Sequence, residues 1–256
     1  MRQSFQIQLP SQKSTPHSLA QVAVLGEMAQ LRDALQTVGL SLVPHPVLVV
    51  IGGASYFEPE QNCQIQQLFT EAIAPIAERY QTCVVDGGTD SGVMRLMGNA
   101  RSHIQATFPL IGVAPLSLVE FPDTPNEHPE SSPLEPNHTH FLLTPGDSWG
   151  DESHWLAKVA SELSGTTPSV AILLNGGNVT WQDALENLRA GQTVIVIDGT
   201  GRAADEIAAG LRGEVTNSRV ADLIATGRIE AIPLQDAVQQ LTTRLDNAFR
   251  SLSHSN

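Results

Sequence analysis

Short apolar runs alternate with amphipathic stretches along most of the chain. Six runs of mostly β-branched residues are almost continuously apolar, and glycine or small polar residues follow them. Continuous apolar runs are typical of strands that helices cover on both faces, and such strands form parallel sheets. The predicted strands are 47–51, 82–85, 109–113, 141–143, 169–174 and 193–197.

Stretches with helical periodicity fill the gaps between these runs. The predicted helices are 60–80, 91–102, 152–163, 180–189, 202–211, 218–225 and 234–252. Strands that alternate with helices in this way indicate βαβ units. The pattern therefore predicts an α/β fold with a mostly parallel sheet and helices on both faces.

The pattern is weaker at the start of the chain and in one central segment. Residues 1–43 carry two short apolar runs and an amphipathic helix over 27–38, and we expect them to form an N-terminal extension packed on the sheet. Residues 44–256 form the predicted α/β domain. Segment 121–136 is rich in proline and acidic residues, which predicts a long loop, and long loops in compact domains are often functional.

Composition and charge narrow the class of protein. A chain of 256 residues with 41% hydrophobic and 16% charged residues suits one large folded domain or two small ones. Its net charge of −13 opposes unspecific binding to nucleic acid or anionic lipid, so neither is an expected partner. Because no apolar run suits a membrane span or a secretory signal, we expect a cytoplasmic protein. Cys63 and Cys83 are predicted to be isolated thiols.

Glycine-rich turns follow four of the predicted strands. In a parallel sheet the carboxyl ends of the strands lie at one edge, where open α/β folds bind their ligands. Glycine lets a ligand approach the backbone, and the first N–H groups of a helix attract phosphate. We therefore predict a nucleotide or sugar-phosphate site, and its candidate residues are Gly52, Gly53, Ala54, Gly87, Gly88, Thr89, Ser91, Gly92, Asn175, Gly176, Gly177, Thr180, Gly199, Thr200, Gly201 and Arg202.

Several other chemistries fit the sequence poorly. No turn reads Gly-x-Gly-x-x-Gly with an acid at the end of the next strand, and no glycine turn carries the lysine of a P-loop. His138 and His140 share one face of a strand, but no third possible ligand lies at a spacing typical of metal sites. No metal is therefore expected. Glu152 is expected to cap a helix. Trp149 lies near the ligand edge, where an indole could stack on a base, although packing is its commoner role.

Five strings, taken in order, resemble the N-terminal cytosolic region of melastatin-type TRP cation channels, in the LSDAT branch of the SLOG superfamily. The strings are Gly-Gly-x-x-Ser-Gly-Val-Met at 87–94, Ile-Gly-Val-Ala-Pro at 111–115, Asn-His-Thr-His-Phe-Leu-Leu at 137–143, Asn-Gly-Gly at 175–177 and Asp-Gly-Thr-Gly-Arg-Ala-Ala-Asp at 198–205. The resemblance covers about 31–209. Because no channel segment follows, the chain looks like a stand-alone prokaryotic relative.

The resemblance implies a Rossmann-like nucleotide-binding domain over 44–256. Some channel members bind ADP-ribose in the corresponding cleft, where the arginine of the Gly-x-Gly-Arg turn contacts the ligand, and Arg202 matches that arginine. The turn at 87–92 matches the ligand loop of the family. A further ligand arginine of those channels has no counterpart in 152–158. No cofactor is expected other than the ligand itself.

The same superfamily contains phosphoribohydrolases marked by Pro-Gly-Gly-x-Gly-Thr-x-x-Glu. The comparable string at 175–183 keeps Gly-Gly and Thr, but Val179 replaces the third glycine and Asp183 replaces the catalytic glutamate. A shorter acid misplaces its carboxylate by ~1.3 Å, enough to remove most activity. We therefore expect a sensor or binding protein for an NAD-derived nucleotide such as ADP-ribose. The rival hypotheses are a nucleotide N-glycosidase that uses Asp183, and an interaction subunit. Assembly into a homo-oligomer or with an effector protein is left open.

Overall fold

A nine-stranded sheet lies at the centre of the computed structural model, which describes residues 3–10, 18–53, 57, 59–214 and 217–250. The strands are β1 (Gln3–Leu9), β2 (Ser18–Val24), β3 (Val47–Gly52), β4 (Cys83–Asp86), β5 (Leu110–Pro115), β6 (Val119–Glu120), β7 (Ser132–Pro133), β8 (His140–Thr144), β9 (Ser169–Leu174), β10 (Thr193–Asp198) and β11 (Ile229–Pro233). The short strands β6 and β7 pair with each other, outside the main sheet.

Helices connect most of these strands. They are α1 (Leu31–Thr37), α2 (Pro59–Gln67), α3 (Ala74–Tyr80), α4 (Gly92–His103), α5 (Ser153–Ser164), α6 (Asn178–Arg189), α7 (Arg202–Leu211), α8 (Ser218–Ile224) and α9 (Ala237–Arg250). A π-helical segment, Leu68–Ile73, joins α2 to α3. None of the helices in the described part of the chain combines the length and apolar composition that a membrane span requires.

The sheet is buried on both faces, as its continuous apolar strands predict. Within β3, Val47, Val49 and Ile51 pack in a core cluster with α1, α5, α6, α7 and α8. Leu48 and Val50, which point to the opposite face, pack in a second cluster with α2, α3, α4 and α9. The predicted α/β fold with helices on both faces is therefore confirmed.

The strand order is β1-β2-β8-β5-β4-β3-β9-β10-β11, and among the described residues only β1 runs antiparallel to its neighbour. From β3 the chain builds the sheet outward through β4, β5 and β8, and it then returns to place β9 on the other side of β3. The chain order thus reverses between β3 and β9. Ligands of open α/β sheets bind at such a point, outside the carboxyl ends of the strands.

The outer strands of the sheet are those that the apolar pattern did not predict. β11 is only partly buried, with the sequence Ile-Glu-Ala-Ile-Pro, and it pairs with β10. At the opposite edge, β2 pairs with β8 through Gln21 and His140, so the described part of residues 1–43 extends the sheet by backbone hydrogen bonding. Leu31 and Leu35 of α1 pack in the same core cluster as Val47, Val49 and Ile51 of β3.

Candidate functional site

A cavity of about 450 Å³ lies at the carboxyl edge of the sheet, where β3, β4 and β9 end. Its volume is within the range of small-molecule sites. All four predicted turns contribute to its lining. The sequence-predicted residues that line it are Gly52, Gly53, Gly87, Thr89, Ser91, Gly177, Thr180 and Arg202. Ligand binding by these residues stays a prediction.

Other candidate residues lie close to the cavity without lining it. They are Gly88, Gly92, Asn175, Gly176, Gly199, Thr200 and Gly201. Ala54 lies outside the described residues. Gly88 has a φ of 69°, and a Cβ on it would lie 2.7 Å from the Cα of Gly112 in β5. A glycine at position 88 therefore allows the turn after β4 to pack directly on β5.

The turn after β10 is held mainly by the protein itself. The Asp205 carboxylate accepts hydrogen bonds from the N–H groups of Gly199 and Gly201, at 2.7 and 3.0 Å. At the start of α7, the N–H of Ala204 donates to the carbonyl of Asn175 at 3.0 Å. The first two donors stabilise the turn after β10 itself, and the third joins it to the turn after β9, so these N–H groups are not free to hold a phosphate.

Arg202 extends from the turn after β10 towards the start of α6. Its φ of 52° lies in the left-handed region, which costs a non-glycine residue about 1 kcal/mol or more. The guanidinium lies over Gly177, since a Cβ on that glycine would be 3.0 Å from Nη2 of Arg202. Gly177 is the residue before α6, and its N–H donates to the hydroxyl of Thr180 at 3.2 Å.

The first turn of α6 lines the cavity through Asn178, Val179 and Thr180. The N–H groups of a first helical turn have no acceptor within their own helix, and the helix dipole places partial positive charge there. The Arg202 guanidinium adds a full positive charge beside this turn. Together they form a site suited to an anion.

Two buried acids line the cavity as well. Asp183 is 8% exposed, and its Oδ1 accepts a hydrogen bond from the hydroxyl of Ser153 at 2.6 Å. Glu152 is 5% exposed, and its Oε2 accepts from the N–H of Gly150 at 2.7 Å. Burial, with a smaller effect of the Glu152 charge, raises the pKa of Asp183 to about 7. Burial also raises the pKa of Glu152.

The remaining wall is apolar and partly aromatic. Val50, Met94 and Leu156 contribute aliphatic surface, and the indole of Trp149 donates to the carbonyl of Glu130 at 3.0 Å. Glu130 belongs to the predicted long loop, which also lines the cavity through Ser132.

The long loop is tied to the turn after β4. The N–H of Asp90 donates to the carbonyl of Pro133 at 2.8 Å, and the N–H of Glu135 donates to the carbonyl of Gly88 at 2.9 Å. The loop and the glycine-rich turn are therefore one hydrogen-bonded unit at the rim of the cavity.

A buried ionic cluster of Asp86, Glu135 and His138 lies behind this unit. The side chains of all three are fully buried. The imidazole of His138 contacts Glu135 Oε2 through Nδ1 at 2.7 Å and Asp86 Oδ1 through Nε2 at 2.8 Å. Burial opposes the charged form, but the two carboxylates outweigh it and raise the pKa of His138 to about 9. Asp86 Oδ1 also accepts from the N–H of Gly88 at 2.7 Å, so the cluster supports the turn.

The second histidine of the motif has a different environment. The Nδ1 of His140 lies 2.8 Å from the Thr139 hydroxyl, and burial lowers the pKa of His140 to about 4. His138 and His140 therefore act in separate hydrogen-bond networks. In the described ranges, no three His, Cys, Asp or Glu side chains come together in a way that could hold a metal ion.

Several lining residues were not among the predicted ligand residues of the glycine-rich turns, although Trp149 was expected near the ligand edge and Glu152 as a helix cap. Glu152 and Trp149 follow β8, a fifth strand that ends at the same edge, but the turn there lacks the Gly-Gly signature. Their positions after a parallel strand were the signal that could have found them. Val50, Met94 and Leu156 carry no such signal, because an apolar residue in a strand or on a helix face is typical of the core.

Comparisons with known proteins identify the family. A sequence model described as "SLOG in TRPM, prokaryote" matches residues 45–243. The transient receptor potential cation channel subfamily M member-like 2 of Nematostella vectensis is 25% identical over 64% of this chain, and subfamily M member 2 of Mus musculus is 23% identical over 65%. In each case the match spans only 13% of the relative's own length.

One solved structure, that of the structural-genomics target TM1055, is 20% identical and covers 77% of this chain and 99% of its own, with a TM-score of 0.48. The family match itself extends from just before β3 into α9, and it includes every strand end that lines the cavity. The chain therefore belongs to the prokaryotic family of SLOG domains related to those of the TRPM channels.

Proposed function

We propose that this chain is a binding protein or sensor for an NAD-derived nucleotide such as ADP-ribose, and that the cavity at the sheet edge holds the ligand. Membership of the SLOG family supports a nucleotide-related function. The observation that carries the proposal is the position of the Arg202 guanidinium over Gly177, at the start of α6.

That arrangement combines two sources of positive potential at one point. A guanidinium offers parallel donors that match phosphate oxygens, and a helix start offers backbone N–H groups with a favourable dipole. The left-handed backbone of Arg202 supports a role for its side chain, because such conformations are retained mainly where function requires them.

The rest of the cavity suits the remaining parts of a nucleotide. Trp149 presents an indole whose orientation is held by its hydrogen bond to Glu130, and a base can stack on such a surface. The carboxylates of Glu152 and Asp183 are acceptors for sugar hydroxyls. An anion site, an aromatic wall and acceptors in one cavity favour a phosphorylated nucleoside over a simple phosphate.

Calorimetry with ADP-ribose tests the proposal. We expect binding to the wild-type chain, and we expect Arg202→Ala to weaken it by about 1.5–3 kcal/mol, the range for a hydrogen bond to a charged group. Arg212→Ala is the matched control, because Arg212 is not among the residues that line the cavity and pairs with Asp198 and Glu214. Absence of binding, or equal affinities of the two variants, would contradict the proposal.

One observation favours a second candidate function, an N-glycosidase. Asp183, which replaces the catalytic glutamate of the phosphoribohydrolase motif, does line the cavity, and its raised pKa suits a general acid near neutral pH. Incubation of the protein with AMP or NAD, followed by chromatography, measures any release of free base. Ligand binding without release supports the sensor, whereas release that Asp183→Asn abolishes supports the glycosidase.

A further inference from the structure

The cavity that we assign to an anion also contains two acids. Glu152 and Asp183 are both almost completely buried, and Arg202 is the only lysine or arginine among the described residues that line the cavity. Buried carboxylates have lost most of their hydration, so a negative ligand brought beside them is repelled more strongly than in water. A diphosphate can enter only if this repulsion is relieved.

We propose that an anionic ligand binds in this cavity together with a proton, which the Glu152–Asp183 pair takes up. The inference rests on the proposed function and concerns the regulation of the same site. The proton comes from the solvent and forms one O–H bond on one of the two carboxylates. No other bond forms or breaks.

Both acids lie on the wall of one cavity, and the protein holds each of them in place. One oxygen of each carboxylate already accepts a hydrogen bond, from the Ser153 hydroxyl to Asp183 and from the Gly150 N–H to Glu152. Ser153 directly follows Glu152 in the chain, so the hydrogen bond from Ser153 to Asp183 brings the two acids to neighbouring parts of the cavity wall. The second oxygen of either acid can receive the proton, and neutralising one acid removes one of the two negative charges that repel the ligand. Because the pKa of Asp183 is raised to about 7, this carboxyl group is partly protonated near neutral pH before the ligand binds.

The surrounding charges do not replace this proton. The strand β3, the turn after β4, and the helices α4 and α6 line the same cavity with Val50, Gly87, Met94 and Thr180, which carry no charge. His154 of α5 and Glu186 of α6 pair with each other on the outer side of their helices. The other charged residues that line the cavity are Arg202 of α7 and Glu130 of the long loop. Asp151, next to Glu152 in the chain, accepts hydrogen bonds from the N–H groups of residues 147 and 148.

Calorimetry with ADP-ribose between about pH 6.5 and 8.5 tests the inference, with two buffers of different ionisation enthalpy at each pH. Each phosphate of this probe carries one ester bond and one anhydride bond, so its single acidic oxygen is already ionised near neutrality and any proton taken up goes to the protein. We expect uptake that approaches one proton per ligand, and an affinity that falls by up to about tenfold for each pH unit above 7.

Three variants identify the side chain that takes up the proton. Asp183→Asn should lose the uptake and hold its affinity within about threefold across the pH range, because the amide cannot titrate. Glu152→Gln removes the other acid, and we expect it to reduce the uptake as well. Glu186→Gln, which removes an acid from the outer side of the same helix, should keep the wild-type profile.

The outcomes separate the inference from the proposed function. Binding by the wild-type chain without any proton uptake overturns the inference and leaves the proposed function standing. Uptake that persists unchanged in both Asp183→Asn and Glu152→Gln also overturns it, because the proton then goes elsewhere. A wild-type chain that gives no binding at any pH in either buffer overturns the proposed function, and the inference with it.

Discussion

The free energy of unfolding should fall as the pH rises from about 6 to 9, because His138 is held in its charged form. Burial opposes this charge, yet the carboxylates of Asp86 and Glu135 prevail and raise the pKa to about 9 from the ordinary 6.5. Between these values the folded chain keeps a proton that the unfolded chain releases. The stabilisation from His138 is therefore complete below pH 6.5 and is lost as the pH rises through 9. The separation of the two pKa values corresponds to ~3 kcal/mol.

Urea unfolding at several pH values measures this contribution. His138→Gln cannot titrate, so the gap in unfolding free energy between wild type and this variant should narrow by ~3 kcal/mol between about pH 6 and 9. His154→Gln is the control, because His154 is an exposed histidine that pairs with Glu186. It should follow the wild-type curve. The reasoning is refuted if the gap between wild type and His138→Gln is independent of pH, or if it widens.

Further substitutions test the other structural arguments. Gly88→Ala should lower the free energy of unfolding by about 3 kcal/mol, and Gly39→Ala by about 1 kcal/mol. Both glycines have positive φ, but only at position 88 would the new Cβ meet backbone atoms. Equal losses in the two variants would contradict the close packing of Gly88 on β5. Gly177→Ala should weaken ADP-ribose binding roughly tenfold by displacing the guanidinium, with little change in urea unfolding. Burial raises the pKa of Asp183 from 3.8 to about 7. The contribution of protonated Asp183 to the free energy of unfolding is therefore complete below pH 3.8 and is lost as the pH rises through 7. Asp183→Asn should therefore gain roughly 2 kcal/mol over wild type between about pH 5 and 8, and parallel pH curves would exclude this.

The centre of the sheet was predictable from the sequence because its strands are buried on both faces. β3 and β9 are almost continuously apolar, and a helix can be inferred after each. β1 and β11 are edge strands, so their polar residues interrupt the apolar signal and neither was predicted. Apolar sequence patterns indicate strands that are buried on both faces, and edge strands are not buried enough to produce such a pattern.

The anion side of the cavity was predictable in part, and on the acid side the sequence marked Asp183 but not Glu152. Arg202 and Gly177 belong to short strings that mark the family. Glu152 carries no local signature, and its raised pKa depends on burial, which only the packing of α5 against its neighbours creates. The hydrogen bond between Ser153 and Asp183 likewise joins residues thirty positions apart. Long-range contacts of this kind cannot be read from spacing along one chain.

The pairing of β2 with β8 affects where the chain can be cut without loss of solubility. The family match begins at residue 45, yet β2 and α1 precede it. A chain shortened to that boundary would leave the backbone of β8 unpaired along one side, on a strand that carries the buried residues Phe141, Leu142 and Leu143. Exposed apolar edge strands pair with other chains, so we expect the shortened protein to self-associate in sedimentation experiments. Such self-association would show that the folding unit extends beyond the segment that the family match covers.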